Sequence, residues 1–195
     1  MSQLFFNKFN GKDILVSLPF FVTFCTYRSL IYRKGVNSLK LDETYKKYAD
    51  MVFKYLLAMC GDAVLAEELT QETFFRAVKS ANRFDGKVKV TTWLCTIAKN
   101  CYYTYLKKER RNSGQDIYET EIVEDKDILE RENCREIYKA VHRLEEPYRE
   151  IILLRVHTDM SFAEIGEIFG KSDSWARVTF YRGKEKLKKE LEEFE

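Results

Sequence analysis

An all-helical chain built from two small domains follows from three observations. Only eight Gly and two Pro are spread over 195 residues while charged residues make up 33%, a balance that starves hairpins and feeds amphipathic helices. From Leu41 onward, apolar residues recur at spacings of three and four rather than two. Between residues 111 and 130 that pattern stops and acidic side chains crowd together, as in a flexible tether. With 45% hydrophobic residues a core can be buried, so wholesale disorder is excluded along with all-β and collagen-like folds. The expected organisation is an atypical extension over 1–37, a first helical domain over 38–110, a flexible acidic linker over 111–130 and a second helical domain over 131–195.

The extension does not share the pattern of the rest. Lys8 and Lys12 precede an apolar tract from Ile14 to Cys25, broken by Ser17 and Pro19, and Arg28, Arg33 and Lys34 follow it. The tract is about a dozen residues long, short of the roughly 20 that a bilayer-spanning helix needs, so no stable membrane span is expected. No small-x-small cleavage site follows it. Three readings stand: translation that really starts near Val36, a removable or membrane-adsorbed pro-segment, and an extra helix.

The first domain opens with Leu41, Tyr45, Tyr48, Val52, Leu56 and Met59 on one helical face. After a break at Gly61-Asp62, Asp62 is placed to cap a second helix with the inward stripe Leu65, Ala66, Leu69, Thr73, Ala77 and Val78. A loop from Asn82 to Val90 carries the Asp85-Gly86 turn signal. Thr91 or Thr92 then caps a third helix that buries Leu94, Ile97, Ala98, Cys101 and Tyr105.

In the second domain, Ile128 to Arg143 forms one helix, and Pro147 in a first turn opens another through Ile151, Ile152, Leu154 and Val156. Ser161 with Glu164 three positions later is a capping box, and Gly170 suits the left-handed residue that stops a helix. A new helix starts near Ser172 or Asp173, giving short helix, tight turn, long helix: the helix-turn-helix outline. The long helix packs through Ala176, Phe180, Gly183, Leu187 and Leu191, where Gly183 costs about 1 kcal/mol of propensity against Ala.

Lys plus Arg total 33 against 31 for Asp plus Glu, so the placement of charge matters more than its sum. On the long helix, Ser174, Val178, Tyr181 and Arg182, flanked by Trp175, Arg177 and Lys184, face away from the core stripe. Such a helix enters the major groove with its first residues on base edges, while Arg contacts guanine or phosphate. Glu185 ends the groove-facing part by repelling phosphate. On the third helix, Lys99, Asn100, Tyr103, Lys107 and Arg110, with Tyr102 beside them and Trp93 at the start, interleave rings, cations and an amide. That combination stacks unpaired bases and tracks a single strand. Glu67, Glu68, Gln71 and Glu72 give the second helix an acidic outer side, which repels DNA and suits a basic protein surface. Taken one at a time, each face is equally an ordinary solvated helix surface.

The residues that carry a family resemblance are Asp62 to Phe74 (DAVLAEELTQETF), then Phe84 and Gly86, Thr92-Trp93-Leu94 and Ile97-Ala98-Lys99-Asn100, and in the tail Leu144 to Arg149 with the helix-turn-helix and Arg182 to Leu187. They resemble regions 2 and 4 of bacterial RNA polymerase sigma factors of the extracytoplasmic-function (ECF) class, in the family's order from about Leu41 to Leu191. The resemblance implies that Glu68, Leu69, Gln71 and Glu72 dock on core RNA polymerase. It implies that Phe84, Trp93, Lys99, Asn100, Tyr103 and Lys107 hold the melted minus-10 element, the loop before Trp93 receiving a flipped base. Ser172, Ser174, Trp175, Arg177, Val178, Tyr181 and Arg182 would read the minus-35 element as duplex promoter DNA. It further implies a cytoplasmic protein and an anti-sigma factor that masks both domains. Val90, Thr104, Thr179 and Gly183 depart from residues common in the family, which bears on promoter sequence rather than fold.

Two competing readings, a helical regulator that binds duplex DNA alone and a protein-interaction module with no DNA role, would also show basic helix faces; the discriminator is the surface around Asn100 coupled to the acidic docking helix, neither of which a simple repressor needs. An enzyme is not expected: His142 and His157 lie on separate helices without an evident nucleophile, and no glycine-rich phosphate loop occurs. No cofactor is expected. Five Cys at 25, 60, 95, 101 and 134, without a C-x-x-C pair, read as buried thiols in a reducing compartment rather than a disulfide framework or a metal site.

Overall fold

A computed structural model describes residues 5–9, 12–16, 38–113 and 132–192 of the chain. Beyond the extension, the described residues fold as seven α-helices and one turn of 3-10 helix. In chain order these are α1 (Ser38–Cys60), α2 (Ala63–Ser80), the 3-10 turn (Ala81–Arg83), α3 (Val90–Ser113), α4 (Glu132–Arg143), α5 (Tyr148–His157), α6 (Phe162–Phe169) and α7 (Asp173–Glu192).

In the extension, Phe5–Phe9 (β1) and Lys12–Val16 (β2) pair antiparallel, with Phe5 opposite Val16 and Phe9 opposite Lys12. These residues therefore form a hairpin where an extra helix was one expectation; the rest of the apolar tract lies outside the described residues.

Local caps set several helix boundaries. Asp62, extended at φ −124°, accepts from the amides of Val64 at 2.8 Å and Leu65 at 3.1 Å and so starts α2. Neither Thr91 nor Thr92 caps α3, which already begins at Val90; both lie within it, and the buried hydroxyl of Thr92 is unpaired. At its other end α3 continues through Ser113, past the expected start of the linker. Arg110 and Arg111 in the last turn complement the helix dipole there, and Gly114 is the next breaker in the sequence. The acidic residues 114–131, and with them the start expected at Ile128, lie outside the described residues. Pro147 sits at the N-cap of α5 rather than inside its first turn.

Ser161 and Glu164 form the reciprocal capping box of α6, and Gly170 ends it at φ +62°. Gly166 is what lets α6 and α7 meet. A Cβ there would lie 2.7 Å from the Lys171 carbonyl oxygen, which is backbone and has nowhere to go. Gly183 likewise faces α5, since a Cβ would meet Ile152 Cδ1 at 3.2 Å and Tyr148 Cβ at 3.3 Å. Its propensity cost therefore accompanies a close helix crossing.

Helices α1, α2 and α3 enclose Val52, Tyr55, Leu56, Phe74, Leu94 and Ala98; α4 to α7 enclose Ile151, Leu154, Ile165 and Ala176. Each fully buried aliphatic or aromatic side chain stabilises the fold by about 1.5–3 kcal/mol. The two sets belong to one continuous hydrophobic cluster, because α5 packs on α1 and α6 packs on α3. Of the apolar residues along α5, Val156 is 67% exposed, while Leu153 is buried.

Candidate nucleic-acid interface

Among the described residues, the outer face of α7 is largely exposed and touches the rest of the fold mainly through Phe162 and Phe169 of α6. Ser172 caps the helix, its hydroxyl accepting from the Trp175 amide at 3.2 Å. Ser174, Arg177 and Arg182 are exposed, and Val178 and Tyr181 keep 47% and 55% of their surface in solvent. Arg177 reaches back to Asp173 at 3.3 Å and lies over the Phe162 ring at 5.1 Å, which orients its guanidinium along the helix. Trp175 departs from the expected pattern: its ring packs on Phe169 at 5.3 Å, half-buried, so it positions α7 as much as it faces outward.

The face of α3 is divided. Asn100 and Lys107 are exposed, and Phe84 and Trp93 stack at 4.8 Å beside the loop that precedes α3. Tyr102, expected among the stacking residues, is buried and donates from its hydroxyl to the Met59 carbonyl at 3.0 Å; burial pushes its pKa up to about 12. It is a core anchor. Lys99 and Tyr103 point at the second domain, where they meet Glu150 of α5.

Glu150 is the centre of that junction and was not singled out from the sequence. Its side chain is 2% exposed, and Oε1 accepts from the Tyr55 hydroxyl at 3.0 Å. Its Oε2 accepts from the Tyr103 hydroxyl at 3.2 Å and faces the Lys99 ammonium at 3.2 Å. Burial raises the carboxyl above its usual range, opposed by the charge of Lys99 and the donors around it. Burial likewise raises the hydroxyls of Tyr55 and Tyr103, with Glu150 adding to both. The Lys99 ammonium also lies 3.5 Å from the centre of the Phe169 ring. A second bridge, Lys89 to Glu164 at 2.9 Å, closes the rim. Burial raises Glu164, but the Ser161 amide and hydroxyl and Lys89 together bring it below its ordinary value. Two signals pointed to this junction: Glu150 lies four residues before Leu154 on the buried stripe, and Tyr55 lies three after Val52 and four before Met59.

On α2, Glu68 is exposed, Gln71 is half-exposed and Glu72 pairs with Arg76 at 2.6 Å. Leu69 differs from the other docking candidates in being buried, so any contribution it makes is through packing. The thiols of Cys60, Cys95 and Cys101 are free and buried; Cys25 and the side chain of Cys134 lie outside the described residues. Burial pushes Cys60 up to about 11 and Cys95 up to about 12. Among the described residues there is no group of His, Cys, Asp or Glu fit to hold a metal, and no helix long and apolar enough to cross a membrane.

Comparison with known proteins gives a consistent result. The family description for sigma-70 region 2 matches residues 44–112, and that for sigma-70 region 4 matches residues 134–187. The chain is 28% identical over 158 residues to the ECF RNA polymerase sigma factor SigX of Bacillus subtilis, covering 76% of this chain and 81% of that protein. It is 29% identical over 167 residues to the RNA polymerase sigma factor CarQ of Myxococcus xanthus, covering 84% and 95%. In fold it is similar to the sigma factor RpoE of Bartonella quintana, solved with the anti-sigma factor NepR. The TM-score is 0.68 at 20% identity, over 78% of this chain and 97% of that one.

Proposed function

The chain belongs to the sigma-70 family of RNA polymerase sigma factors, in its ECF class, and on that premise we propose that it docks on core RNA polymerase, selects promoters through their minus-35 and minus-10 elements and promotes melting of the DNA. In this reading residues 38–110 and 131–195 are the two working units. The duplex minus-35 element meets Ser172, Ser174, Arg177, Val178, Tyr181 and Arg182, with Trp175 at the edge. The melted minus-10 strand meets Asn100, Lys107, Lys99 and Tyr103, with Phe84 and Trp93 at the pocket for an extruded base. Glu68, Gln71 and Glu72 dock on the polymerase, supported from beneath by Leu69.

The observation that carries the proposal is that one chain joins an open, cationic recognition helix to a second face bearing an exposed amide, a cation and a paired Phe84 and Trp93. Duplex binding uses the first, and unpaired bases suit the second. The protein acts in the cytoplasm without a cofactor, and its chemistry is the polymerase's own. An anti-sigma factor as partner is supported by the similar fold of RpoE, which was solved bound to one.

The test is run-off transcription from a genomic fragment library with core polymerase, with and without the chain. New start sites are the expected outcome; identical transcripts overturn the proposal. Permanganate reactivity of thymines near those starts reports melting. A second reading, duplex binding without melting, is favoured by one observation: Lys99 and Tyr103 are engaged by Glu150. Start sites chosen without reactive thymines would establish it.

A further inference from the structure

The second domain covers part of α3. Lys99 retains only 18% of its side-chain surface, its ammonium shared between Glu150 and the face of Phe169. The Tyr103 hydroxyl is committed to the same carboxylate. Lys89, ten residues before Lys99 in the chain, is held by Glu164. Each contact joins α3, or the residue just before it, to α5 or α6. A strand following α3 needs an ammonium for its phosphates and a ring for its bases. Here both groups are already occupied, and a carboxylate competes with phosphate for the same cation.

From this juxtaposition we infer that Glu150 is a latch by which the chain masks its own strand-binding face. In the closed form Lys99 and Tyr103 serve the junction; when α5 and α6 part from α3 they are released to nucleic acid. The inference rests on the strand-binding reading of α3 given above. The junction combines apolar packing of α5 on α1 with a set of charges and hydroxyls facing α3. Burying a carboxylate and an ammonium costs solvation that opening restores, which offsets part of what the apolar contact contributes to the closed form. The recognition face of α7 is not covered, so the latch governs one DNA activity and leaves the other available in both forms.

The test uses the full chain and two variants. Glu150→Gln keeps the volume and removes the charge that holds Lys99. Lys89→Glu sets like charges against Glu164 at an exposed position and leaves the core intact, which keeps the inference testable if the first variant does not fold. Small-angle X-ray scattering reads separation of the domains. Fluorescence anisotropy reads affinity for a short labelled single strand and a duplex, both of mixed sequence. The expected result is a larger radius of gyration with about tenfold tighter single-strand binding in each folded variant and unchanged duplex binding. Opening without that gain, equal gain for strand and duplex, or unchanged scattering in the folded variants overturns the latch. Transcript selection by the wild-type chain with core polymerase reports separately on the function beneath it: selected transcripts with a failed latch leave that function standing, whereas no selected transcripts remove it.

Discussion

Helices α3 and α7 both carry cations on the side turned away from their own apolar stripe, and the fold treats those cations in opposite ways. Lys99 on α3 is an internal structural group, held by a buried carboxylate and an aromatic face. Arg182 on α7 stands in solvent. Periodicity along one helix identifies the side that does not face its own domain. It does not reveal that a second domain covers that side.

The largest expected effect tests whether the open face of α7 depends on its approach to α6. Gly166→Ala forces a methyl group against the Lys171 carbonyl and is expected to cost about 3 kcal/mol, read as a melting temperature lower by roughly 6–12 °C. A loss below about 0.5 kcal/mol would mean that the turn relaxes easily and that the display of α7 is not tightly set.

Next comes the direct contrast of the two cations. Lys99→Ala leaves Glu150 buried with only tyrosine donors and is expected to destabilise the chain by about 2 kcal/mol in chemical denaturation. Arg182→Ala should change stability by less than about 0.5 kcal/mol, yet weaken duplex promoter binding and reduce the salt slope by about one. Equal stability losses would erase the distinction between the two helices.

Asn100→Ala sharpens it from within α3. The side chain is exposed, so the substitution should spare stability and duplex binding while impairing permanganate-detected opening. Reduced duplex affinity would place Asn100 with the recognition helix instead.

The smallest effect is a pH dependence set by the two histidines. Burial lowers both, with Arg149 adding to the shift of His142 and Lys54 to that of His157. Below about pH 6.5 the unfolded chain therefore takes up protons before the native one. Their contribution is complete above that pH and declines as pH falls through the native values. Glu150, raised by burial, works in the other direction: its contribution is complete below the unfolded carboxylate value and is lost as pH rises through the native one. Replacing both histidines by Gln should flatten the acid-side decline in melting temperature relative to wild type; parallel curves would show that neither matters.

Much of the fold was legible in the sequence because it depends on local chemistry. Asp62, the Ser161 and Glu164 pair and Gly170 act on their own neighbours, and each does what its type and position dictate. The exposed residues of α7 were legible for the same reason, since little beyond that helix decides their exposure. What escaped was long-range. Tyr55 and Glu150 are separated by 95 positions, and only the tertiary fold brings a phenol to a carboxylate. Tyr102 was misplaced because a tyrosine looks alike on a stacking surface and in a core until its hydroxyl finds the Met59 carbonyl. The strand pair escaped because composition averages over the chain, whereas Phe5–Phe9 and Lys12–Val16 are two short local segments.

The buried thiols carry a practical consequence. Cys95 is fully enclosed, with its ionisation pushed up to about 12, so at neutral pH it presents almost no thiolate to a reagent while the helices stay together. With Cys25 and Cys134 replaced by Ser, the rate at which Ellman's reagent titrates the chain becomes an internal stopwatch for breathing of the helix pack. Promoter DNA or polymerase would be seen to slow or quicken its ticking, and no dye need be attached.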